Sequence, residues 1–267
     1  MPQEQITGRR GGWLARHLDK LSILLFFAAW QAAPQLGGIV ETFIAPPTLV
    51  LKTLYEMFQA EELLPSIGVS LFRSATGFFL AAAVAIPLGF LLGGSFRTFE
   101  RLVNPVLRFL GQVNPFSLFP LFILIFGIGE MSKVAMIFWV CIWPILFNTV
   151  NGVKQIDPLL VKSARSMGCG VATLFFRVIL PAASPGIFHG LKMGCGTAFF
   201  MLIAAEMIGA SAGLGWLVWN AQINFQMPQL FAATVLISTL GLILNHSFAL
   251  LEGKLVGWKQ RSVTENF

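Results

Sequence analysis

Long apolar runs alternate with short charged segments along the chain, and the spacing of the charges predicts where helices cross a bilayer. A hydrocarbon core of about 30 Å needs about 20 apolar residues in helical form. Four runs reach that length between charges: residues 21–40 between Lys20 and Glu41, 74–96 between Arg73 and Arg97, 109–129 between Arg108 and Glu130, and 134–153 between Lys133 and Lys154. A fifth, about 186–208, carries Lys192 near one end and Glu206 near the other, where side chains reach the interface. The sixth, about 230–251, has no formal charge. The expected fold is all-α and polytopic, with six transmembrane helices and both chain ends on the same side of the membrane.

Composition agrees. The 267 residues are 56% apolar and 11% charged, with 26 Phe and 7 Trp, which excludes both a water-soluble globular domain and a disordered chain. The 18 Lys and Arg divide unequally between the two sides: with the N-terminus inside, 15 fall on inner segments and only Lys52, Arg73 and Lys133 on outer ones. Because cytoplasmic segments are enriched in basic residues, this predicts cytoplasmic termini in a bacterial inner membrane, and the +6 net charge requires no nucleic-acid partner. A cleavable signal over residues 9–33 is disfavoured, since its apolar run continues and its loss leaves an odd number of spans. Cys141, Cys169 and Cys195 have no paired spacing and read as small apolar residues, with neither a disulfide nor a metal site.

Residues 1–20 form an inner tail, 21–40 the first span, and 41–65 an outer segment in which Pro46, Pro47 and Thr48 start an amphipathic helix over Leu49 to Phe58. Residues 66–254 then form a core of five spans, followed by an inner tail at 255–267. The second span carries Gly77, Ala81, Ala85, Gly89 and Gly93 at intervals of four, and the fifth carries Gly186, Gly190, Gly194 and Ala198. Such stripes permit close helix packing, within one subunit or between two.

The inner connection over residues 154–181 is the most informative segment. Asp157 followed by Pro158 predicts a helix start and Gly168 a stop, giving a helix over 158–167 with Leu159, Leu160, Ser163, Ala164 and Met167 on one face. A second short helix through Val171, Leu174, Phe175 and Val178 is expected to end at Pro181. Two amphipathic helices on the inner side form a docking surface.

The run Lys162-Ser163-Ala164-Arg165-Ser166-Met167-Gly168, then nine residues, then Val178-Ile179-Leu180-Pro181 resembles the signature E-A-A-x3-G-x9-I-x-L-P of the membrane subunits of bacterial ABC importers. Further stretches resemble the branch of nitrate, bicarbonate, taurine and alkanesulfonate permeases: Ser70 to Arg73 with Gly77-Phe78, Ile86 to Gly89, Phe126 to Glu130, Pro144 to Gly152, and Ala205-Glu206-Met207 leading to Gly213-Leu214-Gly215. The resemblance covers about residues 43–255. It implies a type I importer core of five helices plus one N-terminal helix, with a homodimer around a central path. The ATPase-coupling loop would comprise Lys162, Ser163, Ala164, Arg165, Gly168, Leu180 and Pro181. Lys162 departs from the leading acid of the signature, which puts a charge contact with the ATPase in question.

The same resemblance implies partners: ATP-binding cassette subunits carrying ATP and magnesium, and a periplasmic or lipid-anchored solute-binding protein. This chain would hold no cofactor and no catalytic residue, and no phosphate-binding G-x-x-x-x-G-K-[ST] loop occurs in it. Glu206, Asn148, Asn151 and Asn220 are candidates for a polar path or outer gate. Glu206 reads as an interfacial acid at a helix end, with a cavity rim or a binding-protein contact as the alternative, and each Asn equally as a helix-to-helix hydrogen-bonding residue. Trp139, Trp143, Trp216 and Trp219 read as packing or interface anchors. No Lys or Arg at mid-depth favours an anionic solute, so the substrate stays open between small oxyanions, sulfonates and vitamin precursors. Gly209 to Gly213 matches the G-x-S-x-G of hydrolases, but His246 lies about sixteen residues into the following span, roughly 24 Å below Ser211 and beyond hydrogen-bond reach. An ATP-independent channel is the remaining alternative; Glu206 apart, no charge at mid-depth supports one.

Overall fold

The computed structural model describes residues 11–34, 44–61, 63–94 and 97–255. Of the expected tails at 1–20 and 255–267, residues 1–10 and 256–267 lie outside the described residues, as does the end of the first span at 35–40; residues 11–20, expected in the tail, are helical and belong to α1. The described chain is helical: α1 (Gly11–Ala32), α2 (Pro47–Gln59), α3 (Leu63–Gly93), α4 (Arg97–Gly111), α5 (Pro115–Phe126), α6 (Glu130–Lys154), α7 (Pro158–Ser166), α8 (Val171–Leu174), a π turn (Phe175–Ile179), α9 (Leu180–Gly209), α10 (Leu214–Ile223) and α11 (Met227–Leu255).

Helix α6 is the centre, held between α3 and α9, and the two small-residue stripes explain how. A Cβ on Gly77 would stand 2.7 Å from Ile137, and one on Gly93 2.8 Å from Val153, so the α3 stripe seats α6 side chains. On the opposite side the α9 stripe meets α6 backbone: a Cβ on Gly186 would lie 2.7 Å from the Cα of Gly152, and one on Gly190 3.0 Å from the carbonyl of Pro144. Both stripes thus pack within one subunit, where small residues let backbones approach without a hydrophobic driving force. Ile137, Cys141, Ile145 and Leu146 of α6 are fully or almost fully buried between them.

Among the described residues four helices are long and apolar enough to cross a membrane, Leu63–Gly93, Glu130–Lys154, Val171–Gly209 and Met227–Lys254. Here the six-span expectation meets two differences. Residues 109–129 do not form one straight helix: α4 ends at Gly111, and α5 starts at Pro115 after a bend of 93°. The reason is local. Pro115 has no N–H to continue α4, and the Asn114 side chain accepts the Phe116 N–H at 3.0 Å as a new N-cap. Counted as one broken span, the α4–α5 pair brings the total to five. Helix α1 does not join that set; Arg16, Asp19 and Lys20 occupy its first half.

The outer segment forms the expected amphipathic helix, α2, which buries Val50, Thr53 and Met57 and packs against α11. Helix α1 leaves Leu24 and Phe26 exposed and meets the bundle through Trp30, whose ring lies 6.1 Å from that of Phe231.

Replacing Gly186 by Val should lower the stability of the detergent-purified chain by about 1–3 kcal/mol or more through overpacking. Gly196→Ala, at a position with nothing within 4 Å, should leave the melting curve unchanged. Thermal unfolding followed by tryptophan fluorescence checks both.

Candidate functional site

The two ends of the α3–α6–α9 unit carry different chemistry. At the end where α6 begins and α9 finishes, charges converge inside the protein. Glu206, in the last turn of α9, is 0% exposed; Arg73 on α3 and Lys133 on α6 are each 3% exposed. Arg73 donates through Nη1 to Glu206 Oε1 at 2.7 Å and to the Ala212 carbonyl at 2.7 Å, and through Nη2 to Glu130 Oε1 at 2.6 Å. Its Nε also pairs with Glu130 Oε2, and Lys133 Nζ lies 3.6 Å from Glu130 Oε1. Two cations thus face two carboxylates, a formally neutral set in which Arg73, Lys133 and Glu206 are buried and Glu130 stays open to solvent.

The Glu206 carboxylate is held from its other side by the segment after α9. Gly215 N–H donates to Oε2 at 2.9 Å, and Ser70 Oγ lies 2.8 Å from both carboxylate oxygens while accepting the Leu214 N–H at 2.9 Å. Gly213 has φ +121, and a Cβ there would overlap the carboxylate; one on Gly215 would stand 2.7 Å from Glu206 Cβ. Only glycine fits both requirements at 213. The expectation that Glu206 is a solvated interfacial acid is therefore corrected. The G-x-S-x-G stretch is a turn tied at its Ala212–Gly215 end to a buried carboxylate, and Ser211 beside it is exposed.

Sequence reasoning missed Ser70, Arg73, Glu130 and Lys133 as one site. A signal was present: two of the three outer basic residues, Arg73 and Lys133, lie inside helices, ten and three residues from the starts of α3 and α6, where a solvated topology charge has no reason to be.

At the opposite end α7 stands out from the bundle. Asp157 Oδ1 accepts the Leu159 N–H at 2.8 Å, Pro158 occupies the first turn, and the stop is a full Schellman motif: Cys169 N–H to Ala164 O at 3.2 Å, Gly168 N–H to Arg165 O at 3.0 Å, with Gly168 at φ +76. Helix start and stop follow the sequence expectation. The burial pattern is sharper than expected: Ala164 is buried, whereas Leu159, Leu160, Met167 and Val171 are 53–86% exposed. Lys162, Ser163 and Arg165 are exposed as well.

Pro181 does not end the second short helix. Residues 171–209 run as one helical span, with Leu180 and Pro181 opening α9 directly after the π turn. A wider turn of i→i+5 type relieves the clash that a proline ring makes with the preceding turn, and it sets the Phe175 ring 5.1 Å from Phe90 of α3.

The other candidates stay away from Glu206. Asn148 Nδ2 donates to its own helix at Pro144 O, 2.8 Å away, and lies 3.7 Å from Met193 Sδ of α9; Asn151 is exposed near the C-terminal end of α6; Asn220 pairs locally with Asn224 at 3.1 Å. None of them approaches Glu206 by hydrogen bond. The indole N–H groups of Trp139 and Trp143 are buried without a hydrogen-bond partner.

Residues 85–257 match the family model described as "Binding-protein-dependent transport system inner membrane component". The chain belongs to this family. It is the permease component of a binding-protein-dependent ABC importer, a multi-span membrane protein. The permease is 33% identical to SsuC of Bacillus subtilis (strain 168), which is named for aliphatic sulfonates, over 94% of this chain and 90% of that one. It is 30% identical to the taurine transport system permease protein TauC of Escherichia coli (strain K12), covering 96% of each, and 32% identical to the nitrate import permease protein NrtB of Synechocystis, covering 73% of this chain and 70% of that one. The fold is similar to that of the inward-facing MetNI methionine ABC transporter, with a TM-score of 0.65 and 18% identity over 74% of the permease and 97% of that chain.

Arg73→Met should cost the permease about 3–5 kcal/mol, because it leaves Glu206 buried without its cation. Glu206→Gln also removes a charge, but Arg73 keeps its pairing with Glu130, so the cost should be smaller, about 1–3 kcal/mol. Apparent melting temperatures in one detergent rank the two; a wild-type curve for Arg73→Met contradicts the network's structural role.

Proposed function

We propose that the permease moves a small oxyanion or sulfonate inward by alternating access. A solute-binding protein would deliver the solute at the Glu206 end. Separate ATPase subunits, holding ATP and magnesium, would dock on α7, so that this chain performs no hydrolysis itself. A second copy of the chain would complete the path, with the chain termini cytoplasmic. The observation that carries this reading is α7: a helix capped at both ends that leaves Leu159, Leu160 and its C-cap Met167 exposed beside the connection to α9.

The linkage supports transmission. Helix α7 follows α6 through the Asp157 cap and leads through the π turn into α9, and α6 and α9 pack backbone to backbone at Gly152 and Gly186. A push on α7 therefore displaces both helices together. At the far end of α9, about 39 Å from Leu180 at 1.5 Å per residue, Glu206 is tied to Arg73, so the same displacement reaches the outer network.

The solute class rests on the names of the relatives, whose sulfonate, taurine and nitrate share compact oxyanion chemistry. No unpaired cation serves it inside α9, where Lys192 is matched by Glu252 at 3.2 Å. Neutral donors fit instead. Trp139 and Trp143 stand one turn apart on α6, with N–H groups whose burial without a partner costs about 1–3 kcal/mol each unless a solute accepts them in another state.

Gly168→Pro, which removes the N–H closing the α7 Schellman motif and forbids φ +76, should abolish uptake and transport-coupled ATPase while leaving membrane insertion intact. Gly170→Ala, at an ordinary φ of −65 with open space around it, should transport normally. Normal uptake by Gly168→Pro would sink the coupling role. Trp143→Phe should raise the KM for uptake without lowering the melting temperature, the combination expected when an idle donor is removed from a solute path.

A further inference from the structure

A groove of about 720 Å³ opens at the inner end of the bundle, between the last turns of α3 and α6, the start of α4, and the α7–π-turn segment. Its chemistry is two-sided. Arg101, Lys154, Lys162 and Arg165 line it, with Glu100 as the one acid, and Glu100 is already paired with Lys154. Among the described residues three cations therefore lack a matching anion within the groove. Its floor is apolar: Phe90 and Val153 come from the last turns of membrane-crossing helices, and Phe175 from the π turn.

We propose that this groove binds the headgroup of an anionic phospholipid from the adjoining leaflet. Net positive lining above an apolar floor, at the depth where spanning helices end, fits a ligand with a phosphate at one end and acyl chains at the other. A free phosphate would leave the floor empty. The site goes beyond the transport reading, because it needs neither the solute nor the coupling role of α7. It also gives Lys162 and Arg165 a partner other than the ATPase: the basic residue that replaces the leading acid of the importer signature lines this groove.

The test uses the full chain in nanodiscs of phosphatidylcholine with a minor fraction of phosphatidylglycerol, extracted gently and weighed by native mass spectrometry. The chain should retain phosphatidylglycerol over phosphatidylcholine. Arg101→Gln combined with Arg165→Gln should reduce that retention about 10- to 30-fold, as expected for two cations each contributing about a factor of five near an anionic surface. Retention of the two lipids in proportion to their supply overturns the proposal. So does an unchanged preference in a double variant that stays folded by its melting curve, and so does a double variant that loses co-purifying protein while keeping its lipid, which would mark the groove as a protein-docking site. Uptake is not the readout, so a failed lipid site and a failed transport assignment remain distinguishable.

Discussion

A charge that leaves water for the interior of a membrane protein must find its counter-charge there, and this fold is organised around that requirement at one end. Arg73, Lys133, Glu130 and Glu206 come from three different helices and neutralise one another, with Ser70 and the Leu214 and Gly215 amides filling the remaining hydrogen-bond positions of Glu206. Because Arg73 of α3 bridges Glu130 of α6 and Glu206 of α9, the network registers the three helices along their axes. Removing one member leaves a buried charge, which is far more damaging than exchanging a matched pair for apolar groups. The glycine stripes set how close the helices come; the ion network sets where along their length they stop.

This division explains the asymmetry between the two ends. The Glu206 end is closed by electrostatics, with only the Glu130 side chain substantially exposed, at 61%. Among the described residues no comparable ion network closes the α7 end. There the chain presents capped helix geometry, exposed apolar side chains and unmatched cations, all features that acquire partners. The α6–α9 pair, packed backbone to backbone at Gly152 and Gly186, connects the two.

Much of the fold was legible in the sequence, because hydrophobic length and charge spacing are local properties. The spans near 74–96, 134–153, 186–208 and 230–251 appear as α3, α6, α9 and α11, each extended at one or both ends by turns that carry charge or proline. Residues 109–129 failed the same logic: hydropathy is blind to Pro115, and an N-cap at Asn114 divides a run that looks continuous. Pro181 misled in the opposite direction, since a π turn lets a helix pass through a proline. In the loop, Asp157, Pro158 and Gly168 are local signals and held. The buried network was not legible, since its members lie more than a hundred residues apart in part, as Arg73 and Glu206 do. The short stretches that carried the family resemblance, around Ser70, Glu130, Glu206 and Gly213, are the ones that meet in space. Their convergence gives those stretches a physical reason.

A coupling role for α7 requires that this chain work as one part of an ATP-driven assembly. The direct measurement is purification from native membranes under mild detergent, with mass spectrometry of the accompanying chains and ATPase activity of the product. An ATP-binding cassette subunit held through residues 154–181, with ATP hydrolysis in the purified material, is the result expected. A chain that purifies alone as a stable oligomer and conducts ions in liposomes without ATP would contradict it.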